Sequence, residues 1–123
     1  MKIRESAEMY LETILVLSKQ GDVRSIDIAR AMNFSRPSVS VTVHNLEKEH
    51  YIKIKENGTI SLEPAGREIA ERIYERHTVL TDLLVSIGVS EAVAAEDACK
   101  IEHDISVETF DCIKKAIKKK GKK

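Results

Sequence analysis

Tyr51-Ile52-Lys53-Ile54-Lys55 alternates apolar and polar residues, Glu56-Asn57-Gly58-Thr59 interrupts it, and Ile60-Ser61-Leu62 returns. Asn-Gly between two alternating runs is the strongest short-range signal for a β-hairpin. What surrounds the hairpin is helical. Residues 3–19 carry Ile3, Ala7, Tyr10, Ile14 and Leu17 on one face, and Gly21-Asp22 ends that helix. Ser25 is expected to cap a short helix through Met32 that offers Ile26, Ile28, Ala29 and Met32 for packing. After the tight turn Asn33-Phe34-Ser35, Ser35 caps a helix to about Glu49, with Pro37 in its first turn and Val39, Val43 and Leu46 facing inward.

Pro64 opens a long helix to about Ile87, closed by Gly88. Ser90 is expected to cap a helix to about Ile105, and Ser106 a last one to about Ile117. The fold class is therefore mainly α, a winged helix-turn-helix followed by a helical lobe. Its expected divisions are 1–63, 64–117 and a disordered lysine-rich tail over 118–123.

Two short helices, a tight turn and an immediate wing are expected to form a DNA-reading head. The second helix enters the major groove and its N-terminal residues reach base edges. The exposed positions there are Arg36, Ser38, Ser40, Val41, His44 and Asn45. Arg36 suits a guanine or a phosphate, and Val41 a thymine methyl. Ser35 and Ser38 at the helix start favour a phosphate, Pro37 sits among them, and Lys53 and Lys55 line the wing. A helical hairpin that touches no DNA shares the paired helices but not the wing. A head of this size normally binds as a dimer over two half-sites, and the surplus terminal helices are the expected dimer interface.

Charge supports that division. The chain is neutral overall, with 20 basic and 20 acidic residues. Residues 19–62 hold seven Lys/Arg against five Asp/Glu, 63–113 hold four against twelve, and 114–123 hold seven lysines and no acid. One segment can meet phosphate and the next can meet cations. At 4% aromatic residues, a base-stacking platform is not expected. No apolar run approaches membrane-spanning length, and Met1-Lys2-Ile3-Arg4-Glu5 is not expected to act as a secretory signal. Reduced thiols at Cys99 and Cys112 and a cytoplasmic location are expected.

Within Cys99-Lys100-Ile101-Glu102-His103, residues three and four apart share a helix face, so thiol, carboxylate and imidazole project together. These are the ordinary ligand types for a divalent transition metal. Ala94, Ala98, Ile101 and Ile105 form the core stripe, and the three candidates centre about 120° away from it, among polar groups.

Glu8-Met9-Tyr10-Leu11-Glu12, Ser35-Arg36-Pro37-Ser38-Val39-Ser40, Leu62-Glu63-Pro64-Ala65-Gly66 and Cys99-Lys100-Ile101-Glu102-His103, in that order and spacing, resemble the diphtheria toxin repressor family of metal-dependent regulators. The resemblance runs from about residue 6 to 117. It implies a homodimer that binds Fe(II) or Mn(II) and then represses uptake genes by occupying operator DNA. It also implies metal ligation by Met9 and Glu12 in the first helix, by His77 in the long helix, and by Cys99, Glu102 and His103. Taken singly, Met9 reads as packing, Glu12 as a solvated charge, and His77 as a core histidine beside Ile69, Ile73, Leu80 and Leu84.

The chain departs from the family's iron-type pattern where Thr81 and Ala95 replace further ligands. In length it resembles the manganese branch, and the SH3-like third domain of longer members is not expected. Met9 and Cys99 match the iron branch and Glu12 the manganese branch. Because thioether and thiolate are soft ligands, Fe(II) is expected ahead of Mn(II), with Zn(II), Co(II) or Ni(II) accepted in vitro. The expected partners are double-stranded operator DNA and a second copy of the chain, with neither a membrane nor an organic substrate.

Three rival readings remain from the sequence. A DNA-binding regulator could sense oxidation through Cys99, although adjacent acids make that thiol a poor nucleophile. An enzyme using Cys99 and His103 lacks a Gly-rich oxyanion loop. A structural zinc protein would unfold without its metal.

Overall fold

Six helices and one hairpin follow one another in a computed structural model that describes residues 3–121, with side chains described over 6–118. They are α1 (Ile3–Ser18), α2 (Ser25–Met32), α3 (Arg36–Lys48), β1 (Ile52–Ile54), β2 (Ile60–Leu62), α4 (Pro64–Ser86), α5 (Glu91–Ile101) and α6 (Val107–Gly121). The chain divides into two units, Met1–Glu71 and Arg72–Lys123.

In the first unit, Tyr10, Leu11, Ile14 and Leu15 of α1 are buried with Ile28 and Ala29 of α2 and Val39, Val43 and Leu46 of α3. Leu11 and Leu15 take the inward places on α1, whereas Leu17 is half-buried, so the buried face is rotated from the expected one. Ile26 is 36% exposed and does not join the core.

Local chemistry sets the boundaries. Arg24, not Ser25, is the N-cap of α2, and its N–H donates to the Asp27 carboxylate (2.9 Å). The Asp27 carboxylate reaches back to the N-cap N–H and places negative charge in the first turn, whereas the expected serine hydroxyl would have taken a first-turn N–H. Asn33 ends α2 in the left-handed region (φ 57°), which a short polar side chain tolerates. Ser35 caps α3 as expected, its Oγ accepting from Ser38 N–H (3.3 Å).

β1 and β2 pair antiparallel, with Ile52 opposite Leu62 and Ile54 opposite Ile60. The turn is closed by Lys55 N–H to Thr59 O (2.9 Å) and Gly58 N–H to Lys55 O (2.9 Å), and Gly58 has φ 87°. Ile60 N–H also donates to Val23 O (2.7 Å), so the segment before α2 extends the hairpin on its open edge. The start of α4 packs on the base of the hairpin. A Cβ at Gly66 would collide with the Tyr51 carbonyl oxygen, so only glycine allows this approach.

In the second unit, Ile73 and Leu80 of α4, Ala94 and Ala98 of α5 and Phe110 of α6 are buried. Gly88 (φ 108°) follows the end of α4, and Ser90 Oγ and Ser106 Oγ accept from Val93 N–H (3.5 Å) and Thr109 N–H (3.1 Å). Two expectations change here. α5 stops at Ile101 instead of Ile105, and α6 runs on to Gly121 through part of the segment expected to be a disordered tail. Lys122 and Lys123 lie outside the described residues.

Candidate metal centre and nucleic-acid interface

His77 occupies the face of α4 defined by buried Ile73 and Leu80, one turn from each, and its side chain is 28% exposed. The turn after α5 brings Glu102 to it: His77 Nδ1 donates to Glu102 Oε1 at 2.8 Å. Glu102 is fully buried. Its second oxygen, Oε2, has no hydrogen-bond partner and lies 3.7 Å from His103 Nε2, beyond hydrogen-bonding reach. The His103 side chain is 2% exposed.

A carboxylate oxygen cut off from both water and donors is expensive unless positive charge is supplied to it. Two imidazoles flanking one buried carboxylate offer three of the ordinary ligand atoms for a divalent transition metal, and this donor set fits such an ion.

The arrangement differs from the expected one. Glu102 is the C-cap of α5 and His103 lies in the turn beyond, so the two leave the helix face they were expected to share with Cys99. Glu102 is not among solvated groups but at the bottom of the core. Cys99 stays on the last turn of α5 and is exposed, as is Cys112 on α6, and neither forms a disulfide. Met9 and Glu12 are half-buried on α1 of the first unit. Thr81 and Ala95 are half-buried, and Thr81 Oγ1 donates to the His77 carbonyl (2.7 Å).

Arg76 is a participant that the sequence reading missed. It is 8% exposed, its guanidinium lies over the Phe110 ring at 5.4 Å, and Nη1 donates to the carbonyls of Glu102 (3.1 Å) and Ile105 (3.0 Å). The available signal was its register: Ile69, Ile73, Arg76 and Leu80 recur at core spacing, so the arginine stands where an apolar residue belongs.

In the first unit the reading head presents α3. Ser35, Arg36, Pro37, Ser38, Val41, His44 and Asn45 are exposed, Val41 at 63%, and Ser40 is half-buried. His44 Nδ1 donates to the Ser40 carbonyl (2.7 Å) and Ser38 pairs with Ser35 Oγ (2.9 Å). Lys53 and Lys55 are exposed on the wing. A second missed residue, Glu47, ties wing to helix: Ile54 N–H donates to its Oε2 (2.8 Å). No local pattern marks this bond, because its partner lies seven residues on.

The family described as iron dependent repressor, N-terminal DNA binding domain, matches residues 2–60. The one described as iron dependent repressor, metal binding and dimerisation domain, matches 63–121. The HTH-type transcriptional regulator MntR of Geobacillus kaustophilus (strain HTA426) is 37% identical over 109 residues, covering 88% of this chain and 77% of that protein. Among solved structures, the manganese regulator SloR superposes with a TM-score of 0.80 at 24% identity, over 91% of this chain and 53% of that one. T. acidophilum IdeR gives 0.74 at 25% identity, over 92% and 52%. The chain thus spans about half the length of those two structures. No described helix is long and apolar enough to cross a membrane.

Proposed function

The chain belongs to the diphtheria toxin repressor family of iron-dependent repressors, and from that premise we propose a cytoplasmic transcriptional repressor that occupies operator DNA as a homodimer when loaded with a divalent metal. The observation that carries this reading is the buried Glu102 carboxylate, with one oxygen on His77 and the other unbonded near His103.

His77, Glu102 and His103 would hold the ion. Met9, Glu12 and Cys99 are the further ligands implied by the family pattern. When bound, a divalent cation supplies the positive charge that Glu102 Oε2 otherwise lacks, so binding and local order are linked. Arg36, Ser38, Ser40, Val41 and His44 on α3 would read or grip the duplex, with Ser35, Pro37, Lys53 and Lys55 against its backbone. Val85, Ile87 and Val93, exposed apolar residues at the end of α4 and in α5, support a self-association surface. A coupling of about 1–3 kcal/mol between metal and DNA gives roughly 5–150-fold in DNA affinity.

The metal is proposed to be Mn(II), with Fe(II) as its rival. The case for Fe(II) rested on the soft ligands Met9 and Cys99. The buried set of two imidazoles and a carboxylate contains no sulfur ligand and by ligand type does not favour Mn(II), so the preference for Mn(II) is supported by the 37%-identical relative named MntR. Oxidation sensing is the second reading, favoured only by the exposure of Cys99.

The test is DNA binding by metal-stripped protein, titrated anaerobically with Mn(II) and with Fe(II), on a fragment of its own promoter region. Binding that requires metal is expected. Equally tight binding in chelator would overturn the metal switch, and loss of binding on thiol oxidation would favour the second reading.

A further inference from the structure

α5 ends at Ile101, well before the Ser106 cap of α6, and no helix-breaking residue stops it there. Cys99-Lys100-Ile101-Glu102-His103-Asp104-Ile105-Ser106 contains neither Gly nor Pro, and Glu102 itself still has helical backbone angles (φ −57°, ψ −26°). A helix that ran on would give the Glu102 carbonyl to the N–H of Ser106. Instead that carbonyl accepts from Arg76 Nη1, and the same nitrogen takes the Ile105 carbonyl. One guanidinium nitrogen thus grips both ends of the turn that carries Glu102 and His103.

Arg76 is a poor device for stability alone. It is buried, and its Nε has no hydrogen-bond partner. An apolar side chain packed on Phe110 would avoid both costs, since burying an incompletely bonded cation is unfavourable. Its position gives it another use. It stands next to His77 on α4, so its two bonds lock the segment bearing one imidazole to the turn bearing the carboxylate and the other imidazole.

We propose that Arg76 is a positioning residue for the metal centre: by holding residues 102–105 in a turn, it aims the Glu102 carboxylate at His77 and His103 instead of at solvent. This inference rests on the metal-binding reading of the same residues. Groups that orient metal ligands without touching the ion typically change affinity about 10–100-fold when replaced.

The experiment is Co(II) titration of the full-length chain, wild type, His77→Ala, Arg76→Met and Arg76→Lys, followed by visible absorption, with far-UV circular dichroism and melting of each metal-free protein. Arg76→Met is expected to keep its helical spectrum, bind Co(II) about tenfold or more weakly and show altered absorption bands. Arg76→Lys should fall between, because its ammonium is too short to bridge both carbonyls. A merely structural role would shift melting without altering the bands. Wild-type affinity and bands in a folded Arg76→Met overturn the proposal. Should Arg76→Met fail to fold, Arg76→Lys decides: altered bands support the role and wild-type binding overturns it. Equal Co(II) binding by wild type and His77→Ala would instead overturn the metal reading itself.

Discussion

His77 Nδ1 and Glu102 Oε1 lie 2.8 Å apart, joining the middle of α4 to the turn after α5, yet the two side chains are 28% and 0% exposed. The imidazole has access to water and the carboxylate has none, so removing one is not equivalent to removing the other. Glu102→Gln keeps the volume and the acceptor while deleting a buried charge. Its metal-free stability should lie within about 1 kcal/mol of wild type, with metal binding lost. His77→Ala leaves the buried carboxylate without its imidazole and should cost about 1.5–3 kcal/mol. Urea denaturation of both metal-free variants checks the order, and a Gln variant less stable than the Ala variant would contradict it.

Glu47 matters to the wing through a single bond to Ile54 N–H. Glu47→Ala strands a half-buried donor and should destabilise by about 1–2 kcal/mol. Glu47→Gln keeps an acceptor and should be close to wild type. If the wing contacts DNA, operator affinity measured by fluorescence anisotropy should fall in the Ala variant and recover in the Gln variant.

His50 follows α3 with φ 69°, and the bonds His50 N–H to Glu47 O (3.0 Å) and Tyr51 N–H to Leu46 O (3.0 Å) complete a helix-ending turn in which glycine is the usual residue. A Cβ in this region is strained. His50→Gly should therefore stabilise the protein by about 0.5–1 kcal/mol, read as a higher urea midpoint at unchanged slope. A lower midpoint would show that the imidazole contributes more than the strain costs.

Lys53 and Lys55 are exposed on the wing, and Arg36 at the start of α3. If the lysines meet phosphates, Lys53→Ala and Lys55→Ala should each weaken binding to operator and scrambled DNA alike and lower the salt-dependence slope by about one. If Arg36 pairs with a base, Arg36→Ala should cost about 1–3 kcal/mol on the operator alone. Anisotropy titrations over a range of salt concentrations separate the two kinds of contact.

The reading head was legible in the residues because its signals are short-range. Asn57-Gly58 turns the hairpin, Ser35 caps α3 through a bond three residues long, and Pro37 sits where a missing N–H costs nothing. Even the misplaced cap of α2 failed by only one residue, because the Asp27 carboxylate takes the Arg24 N–H over an equally local distance. The candidate metal centre could be read as a set of residue types and not as geometry. Periodicity carried α5 through Ile105 and put Glu102 with Cys99 on a polar face. The folded chain buries Glu102 and leaves Cys99 exposed. Sequence alone determined which segments are helices and where the wing turns, and it singled out the side chains proposed to bind metal or DNA, because neighbours within about four residues decide local structure. Only the tertiary structure decided where α5 ends and which way Glu102 faces, because the groups that take its carbonyl and its carboxylate, Arg76 and His77, stand 26 and 25 residues away along the chain.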